Sequence, residues 1–250
     1  MTLPPLPPLG RLALLLDIDG TLLELAPAPS EVLVPPDLPD LLHDLAARLD
    51  GALALISGRR IEEIDALFPG LGIAVAGEHG AALRRAPDRP VERLELPRVP
   101  PILRAAAREL AAAYPGVLLE EKPSGFVLHF RRAEAAGRAL GAALDSMIGG
   151  SGAGFVVAPA IMAWEVRPAG VDKGAAVHAL LERAPYAGRI PLFVGDDATD
   201  DDAIRAARAL GGFGFQVGST FGTAASVRVW LRSLMEPGEY RSVGAPCAGL

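Results

Sequence analysis

Leu12-Ala13-Leu14-Leu15-Leu16 runs directly into Asp17-Ile18-Asp19-Gly20-Thr21. An apolar run this short, bounded by Gly10 and by the acidic pair, has the pattern of a buried strand. Two carboxylates then fall at its carboxyl end, the edge where open parallel sheets hold their ligands. An ionised aspartate is expensive to take out of water unless something pairs with it. Asp17 and Asp19 therefore call for a cation, and oxygen donors call for a hard one. Taken alone, the segment also reads as a strand and a polar turn, because Asp and Gly are common turn formers.

The same form recurs further along. Leu192-Phe193-Val194 leads into Gly195-Asp196-Asp197-Ala198-Thr199-Asp200-Asp201-Asp202, five carboxylates in seven residues that repel one another without a counter-ion. Asp200–Asp202 open the helical stretch Ala203–Leu210, where acidic residues suit the N-terminus and Gly211 suits the end. That account does not reach Asp196 and Asp197, which fall at the strand tip. Ala52–Ile56 ends in Ser57-Gly58-Arg59, a hydroxyl donor at another strand tip. Lys173 opens the helical run Gly174–Arg183; a cation there opposes the macrodipole but is placed to hold an anion. An ordinary turn serine and a solvated lysine are the bland readings of Ser57 and Lys173.

Around these clusters, strands and helices alternate in two flanking blocks. Leu38, Leu41, Leu42, Leu45 and Leu49 share one face of a helix over Asp37–Leu49. Strand 52–56, helix 60–67 and strand 73–76 follow. The alternation resumes with helix 173–183, strand 190–194, helix 202–210 and strand 213–217, and a last helix is expected near Val227–Met235. This predicts an α/β fold with a doubly wound, mostly parallel sheet. The middle differs: helical runs over 102–113 and 133–147, each followed by a hairpin, Val117–Lys122 with Phe126–Phe130 and Phe155–Ala158 with Met162–Val166. An inserted α+β domain is therefore placed at 83–165, between core segments 1–82 and 166–250. Glu120 and Lys122 stand two apart on a strand and share a face, as do Glu165 and Arg167; a solvated sheet face gives the same pattern.

Composition bounds the function. Net charge is −6 with no basic run, which argues against nucleic acid as a partner. The lone cysteine, Cys247, excludes an intrachain disulfide framework and fits a reducing cytoplasm. No basic leader precedes an apolar stretch near the N-terminus, and that stretch is far too short to span a membrane.

The four clusters, in this order, resemble the motifs of the haloacid dehalogenase superfamily of phosphohydrolases: Asp17-Ile-Asp-Gly-Thr, Ser57, Lys173, and Gly195-Asp-Asp with Asp200. Glu120-Glu-Lys122, His129-Phe130-Arg131, Glu165-Val-Arg-Pro-Ala-Gly-Val-Asp-Lys173-Gly and Gly77-Glu78-His79-Gly80 further resemble the trehalose-6-phosphate phosphatases. Phe130 replaces the usual tyrosine, and Arg167 stands where lysine is frequent. The resemblance implies a Mg²⁺-dependent phosphatase with Asp17 as nucleophile and Asp19 as acid and base. It implies metal ligation by Asp17, the Asp19 carbonyl and Asp196, with Asp197 and Asp200 behind them. Ser57 and Lys173 would bind the phosphate, and Glu120, Lys122 and Glu165 the sugar hydroxyls of a substrate-selecting cap. The expected partner is a small sugar phosphate, and the oligomeric state stays open, a monomer included. Sucrose phosphate or a glycosyl-phosphoglycerate remain as alternative substrates, and a non-catalytic sugar-phosphate-binding module as another class. For Glu78, His79 and His129, a turn or core role fits as well as a ligand contact.

Overall fold

The computed structural model describes residues 3–26, 31–122, 124–151, 154–160 and 162–236. Cys247 and Pro123 of the first hairpin turn lie outside the described residues. Two units share the chain, one formed by Met1–Arg93 with Asp172–Leu250 and the other by Leu94–Val171.

The larger unit is built on β1 (Leu12–Leu16), β2 (Leu53–Ile56), β3 (Ala74–Gly77), β4 (Ala82–Arg84), β5 (Glu92–Arg93), and two later strands described below. Every residue of β1, β2 and β3 is buried, as expected of parallel strands covered on both faces. The helices here are α1 (Leu38–Arg48) and α2 (Ile61–Leu67). Leu38, Leu41, Leu42 and Leu45 form the buried stripe of α1, the periodicity that the leucine spacing predicts.

The smaller unit runs α3 (Pro101–Ala112), β6 (Leu118–Lys122), β7 (Gly125–His129), α4 (Gly137–Ser151), β8 (Phe155–Ala160) and β9 (Ala163–Pro168). Its sheet is antiparallel in the order β6-β7-β9-β8. Phe126, Leu128 and Val166 pack with Leu103, Leu140 and Leu144 of the two helices. Glu121 points to that helical side, where Arg104 and Arg108 of α3 hold it at 3.0 and 2.7 Å. Alternation along the strand then sends Glu120 and Lys122 to the opposite face.

The chain re-enters the larger unit with α5 (Lys173–Leu181), β10 (Ile190–Gly195), α6 (Asp201–Ala209), β11 (Phe213–Gln216), the single turn α7 (Val217–Thr220) and α8 (Ala224–Ser233). The sheet order is β11-β10-β1-β2-β3-β4-β5. Strands β11 through β3 are parallel, while β4 and β5 are added antiparallel. These two short strands keep residues 82–93 with the larger sheet, and β9 runs on to Pro168. The limits of the middle unit thus differ from the 83 and 165 read in the sequence. Three residues of β4 and the polar pair of β5 are too short to show a period.

Candidate active site

Register brings the site together. Leu16 of β1 lies beside Val194 of β10 and Leu55 of β2. Asp17, Ser57 and Asp196 therefore leave three adjacent strands at one carboxyl edge. The Asp17 N–H still donates to the Val194 carbonyl at 3.0 Å, so the sheet ladder fixes the base of that residue. After it, Gly20 adopts φ 77°, and a Cβ there would stand 2.0 Å from Asp196 Oδ2. Only glycine lets the two loops approach this closely.

Lys173 sits at the first position of α5, capped by Asp172, whose carboxylate accepts from the Ala175 N–H at 2.8 Å. Its side chain is buried, and its ammonium donates to Asp17 Oδ1 at 2.7 Å and Asp200 Oδ1 at 2.6 Å. The second Asp200 oxygen accepts the N–H groups of Asp196 and Asp197 at 3.0 and 3.1 Å. Asp200 is thus fully buried and tied to the charge centre. Asp200 does stand at the start of α6, as the N-cap residue ahead of Asp201 and Asp202, but its carboxylate is spent on Lys173 and the strand-tip N–H groups rather than on the helix. Asp197 caps the short turn that precedes α6, accepting from Thr199 N at 2.8 Å and Thr199 Oγ1 at 2.7 Å.

Burial dominates the electrostatics. Desolvation pushes Asp17 above its ordinary value, although Lys173 pulls the other way. Asp200 is pushed up to about 8 by burial and by the charge of Asp17, against the pull of Lys173. Asp196, lacking the lysine contact, rises to about 7 through burial and the charges of Asp17 and Asp197. Burial alone would lower Lys173, but Asp17 and Asp200 hold its ammonium above the usual range. For Asp197 burial acts upward too, yet the Thr199 hydrogen bonds and the Lys173 charge leave it lowered. One ammonium serves several carboxylates, so the site is short of positive charge.

Oxygen atoms of Asp17, Asp196 and Asp200 lie within 4.8 Å of one another. An all-oxygen donor set, crowded and partly uncompensated, fits a hard divalent cation. Asp200 stands in this group where the sequence reading had it behind the ligands. The Asp19 carboxylate does not; the group expected from that residue was its carbonyl.

Ser57 and Lys173 line one cavity of about 420 Å³ with Asp17, Asp19, Asp196 and Arg59. Ser57 is buried, with its N–H bonded to the Ala76 carbonyl at 2.9 Å. Its Oγ accepts the Arg59 N–H at 3.2 Å, which leaves the hydroxyl proton to donate. Arg59 is the residue sequence reasoning passed over. Its Nε and Nη2 donate to Asp19 Oδ2 and Oδ1, both at 2.6 Å. The available signal was a long cation two residues after the serine, on the same strand-tip loop. His79 also lines the cavity; it and Glu78 take left-handed φ angles of 56° and 53°. Their N–H groups donate to the carbonyls of Ser57 at 3.0 Å and Arg59 at 2.9 Å, so this strained turn holds the serine loop from behind.

In the smaller unit, Glu120, Lys122 and Glu165 line a groove of about 620 Å³ together with His129. The Lys122 ammonium donates to Glu165 at 2.7 Å, and His129 Nε2 lies 2.9 Å from Glu120. The expected sugar-binding trio is therefore gathered on one sheet face, with His129 added.

Comparison with known proteins agrees in sequence and in fold. A family model described as trehalose-phosphatase matches residues 15–228. A probable trehalose-phosphate phosphatase of Sinorhizobium fredii is 39% identical over 210 residues, 84% of this chain and 79% of its own. Trehalose-6-phosphate phosphatase of Escherichia coli is 37% identical over 227 residues, 88% of this chain and 82% of its own. The structure of Aspergillus fumigatus trehalose-6-phosphate phosphatase in crystal form 3 superposes with a TM-score of 0.68. That likeness, at 24% identity and over 90% of this chain and 92% of the other, is one of fold.

Proposed function

The chain belongs to the trehalose-phosphatase family, and we propose that it hydrolyses trehalose 6-phosphate to trehalose and inorganic phosphate with Mg²⁺ as cofactor. The observation that carries this reading is the buried Lys173 bridge between Asp17 and Asp200, beside Ser57 at the sheet edge. It supplies a nucleophile, an anion-binding ammonium and a hydroxyl donor around one cavity.

In this reading Asp17 attacks phosphorus and takes up the phosphoryl group, splitting the hydrolysis into two easier steps. Asp19 gives a proton to the departing sugar oxygen and then takes one from the attacking water. Ser57 and Lys173 neutralise charge on the equatorial oxygens, the main source of acceleration in phosphoryl transfer. Asp17 and Asp196 would hold the metal with the Asp19 carbonyl, and Asp200 and Asp197 would set the loop that presents Asp196. Bound there, Mg²⁺ supplies charge neutralisation and orients the phosphoryl oxygens. Glu120, Lys122 and Glu165 would read the sugar hydroxyls, which a polar groove discriminates far better than an apolar one. We assign the 94–171 unit the role of a substrate-selecting cap on that basis. Cytoplasmic residence belongs to the same proposal and is supported by the acidic, single-cysteine composition; no described helix is long and apolar enough to cross a membrane.

The test is phosphate release from trehalose 6-phosphate, with and without Mg²⁺, beside glucose 6-phosphate and sucrose 6-phosphate. Metal-dependent preference for the first supports both the chemistry and the substrate. Metal-dependent activity on another sugar keeps Asp17 and Asp19 and discards the substrate. Binding without turnover moves the site to the non-catalytic class. An Asp17→Asn variant releasing phosphate at the native rate would remove the covalent scheme.

A further inference from the structure

One ion pair in the cavity stands in the way of the chemistry assigned to it. Both oxygens of Asp19, the carboxylate that would give and take the proton, are engaged by Arg59. We propose that Arg59 exchanges partners during the cycle: its guanidinium leaves the Asp19 carboxylate for the phosphoryl group as substrate binds, so that arrival of the anion itself frees the acid–base residue. The proposal rests on reading this cavity as a phosphate site.

Four observations support it. The fork of Nε and Nη2 that grips a carboxylate is equally matched to two phosphate oxygens. A phosphate monoester carries about −1.5 to −2 charge near pH 7 and outbids a carboxylate for the same donors. Position comes next: Arg59 lines the same cavity as Asp17, Ser57 and Lys173, and its guanidinium already feels the Asp17 charge. The loop that carries it is held by the Glu78 and His79 N–H groups, which places the proposed exchange in the side chain rather than the backbone. Third, Lys173 is shared with two carboxylates, so an incoming dianion gains from a further side-chain cation beside it. Finally, the pair is asymmetric in exposure. The Arg59 side chain is 11% exposed and stays screened from water, whereas Asp19 is 30% exposed and can be taken over by water or by the leaving group. Release of the carboxylate is thus the inexpensive half of the exchange.

The experiment measures binding of inorganic phosphate to the full-length protein with Mg²⁺, by calorimetry, for the native chain, Arg59→Ala and Arg59→Lys. Loss of one charge-assisted contact predicts phosphate weakened by about tenfold or more in Arg59→Ala, with partial recovery in Arg59→Lys. With p-nitrophenyl phosphate the change should fall mainly on KM. The Arg59 Nε–H resonance of the native protein should also move as phosphate is added. Phosphate affinity within about twofold of native in Arg59→Ala, or an Nε–H signal that phosphate leaves in place, would show that Arg59 stays on Asp19 and would overturn the exchange. A native chain that binds no inorganic phosphate would remove the phosphatase reading and this proposal together. Phosphate binding with turnover of p-nitrophenyl phosphate but none of trehalose 6-phosphate would sink only the substrate.

Discussion

Replacing Lys173 by Met should destabilise the larger unit far more than a typical surface change. The ammonium lies 2.7 Å from Asp17 and 2.6 Å from Asp200, and none of the three side chains is more than 4% exposed. Removing one partner of such a buried pair leaves an uncompensated charge, a loss of about 3–5 kcal/mol. Above about pH 8, where Asp200 is ionised, two carboxylates are stranded, so the upper part of that range is expected there. Against a domain stability of about 5–15 kcal/mol, the change is easily read in urea unfolding of the metal-free protein. Two further signs identify the cause. Asp200→Asn should cost stability in the native background, where it weakens the contact with Lys173. In the Lys173→Met background it should restore stability, because it removes a stranded charge. The Lys173→Met loss should also shrink as pH falls. Both carboxylates already titrate above their ordinary values, Asp200 at about 8, so the folded state takes up protons that the unfolded state does not. Stability from such groups is present at low pH and is lost as pH rises toward their folded values. A Lys173→Met protein within about 1 kcal/mol of native would refute the reasoning, as would Asp200→Asn adding loss in both backgrounds.

Gly20→Ala should cost only about 1–2 kcal/mol of backbone strain at φ 77° yet abolish stabilisation by Mg²⁺, because the new Cβ displaces Asp196; thermal melts with and without Mg²⁺ read this, and an unchanged metal-induced shift would count against Asp196 as ligand. Lys122→Ala should raise KM for trehalose 6-phosphate by about tenfold or more while leaving p-nitrophenyl phosphate nearly untouched; equal effects on both would deny the groove a recognition role. Tyr186→Phe deletes a buried O–H that donates to the Leu53 carbonyl at 2.7 Å. It should lower stability by about 1 kcal/mol without altering kcat, and a neutral melt would show that water replaces the bond.

Much of the larger unit is written in runs that need no partner to be read. Leu12–Leu16 and Leu192–Val194 are continuous because both faces of a parallel strand are covered, and the α1 leucines repeat with the turn of a helix. Polar residues at the ends of such runs fall at one sheet edge by construction, which is why Asp17, Ser57 and Asp196 could be named in advance. Asp200 was readable by position, and by role only through the resemblance. A carboxylate at a helix start has a sufficient local explanation, and its burial depends on Lys173 arriving from another helix. The Arg59–Asp19 pair was hidden for the same reason: its two members are 40 residues apart and meet only through strand order. Strands β4 and β5 carry too few residues for any period to show.

The order β11-β10-β1-β2 sets Leu12 beside Ile190. During synthesis the first strand emerges long before its β10 neighbour exists, and one side of a wholly apolar strand must wait with its ladder unpaired. Closure of so distant a pairing makes assembly slow and leaves the nascent chain prone to sticking. Because Asp17 and Asp196 meet only once that pairing closes, metal-dependent protection from proteolysis would date the completion of the larger unit.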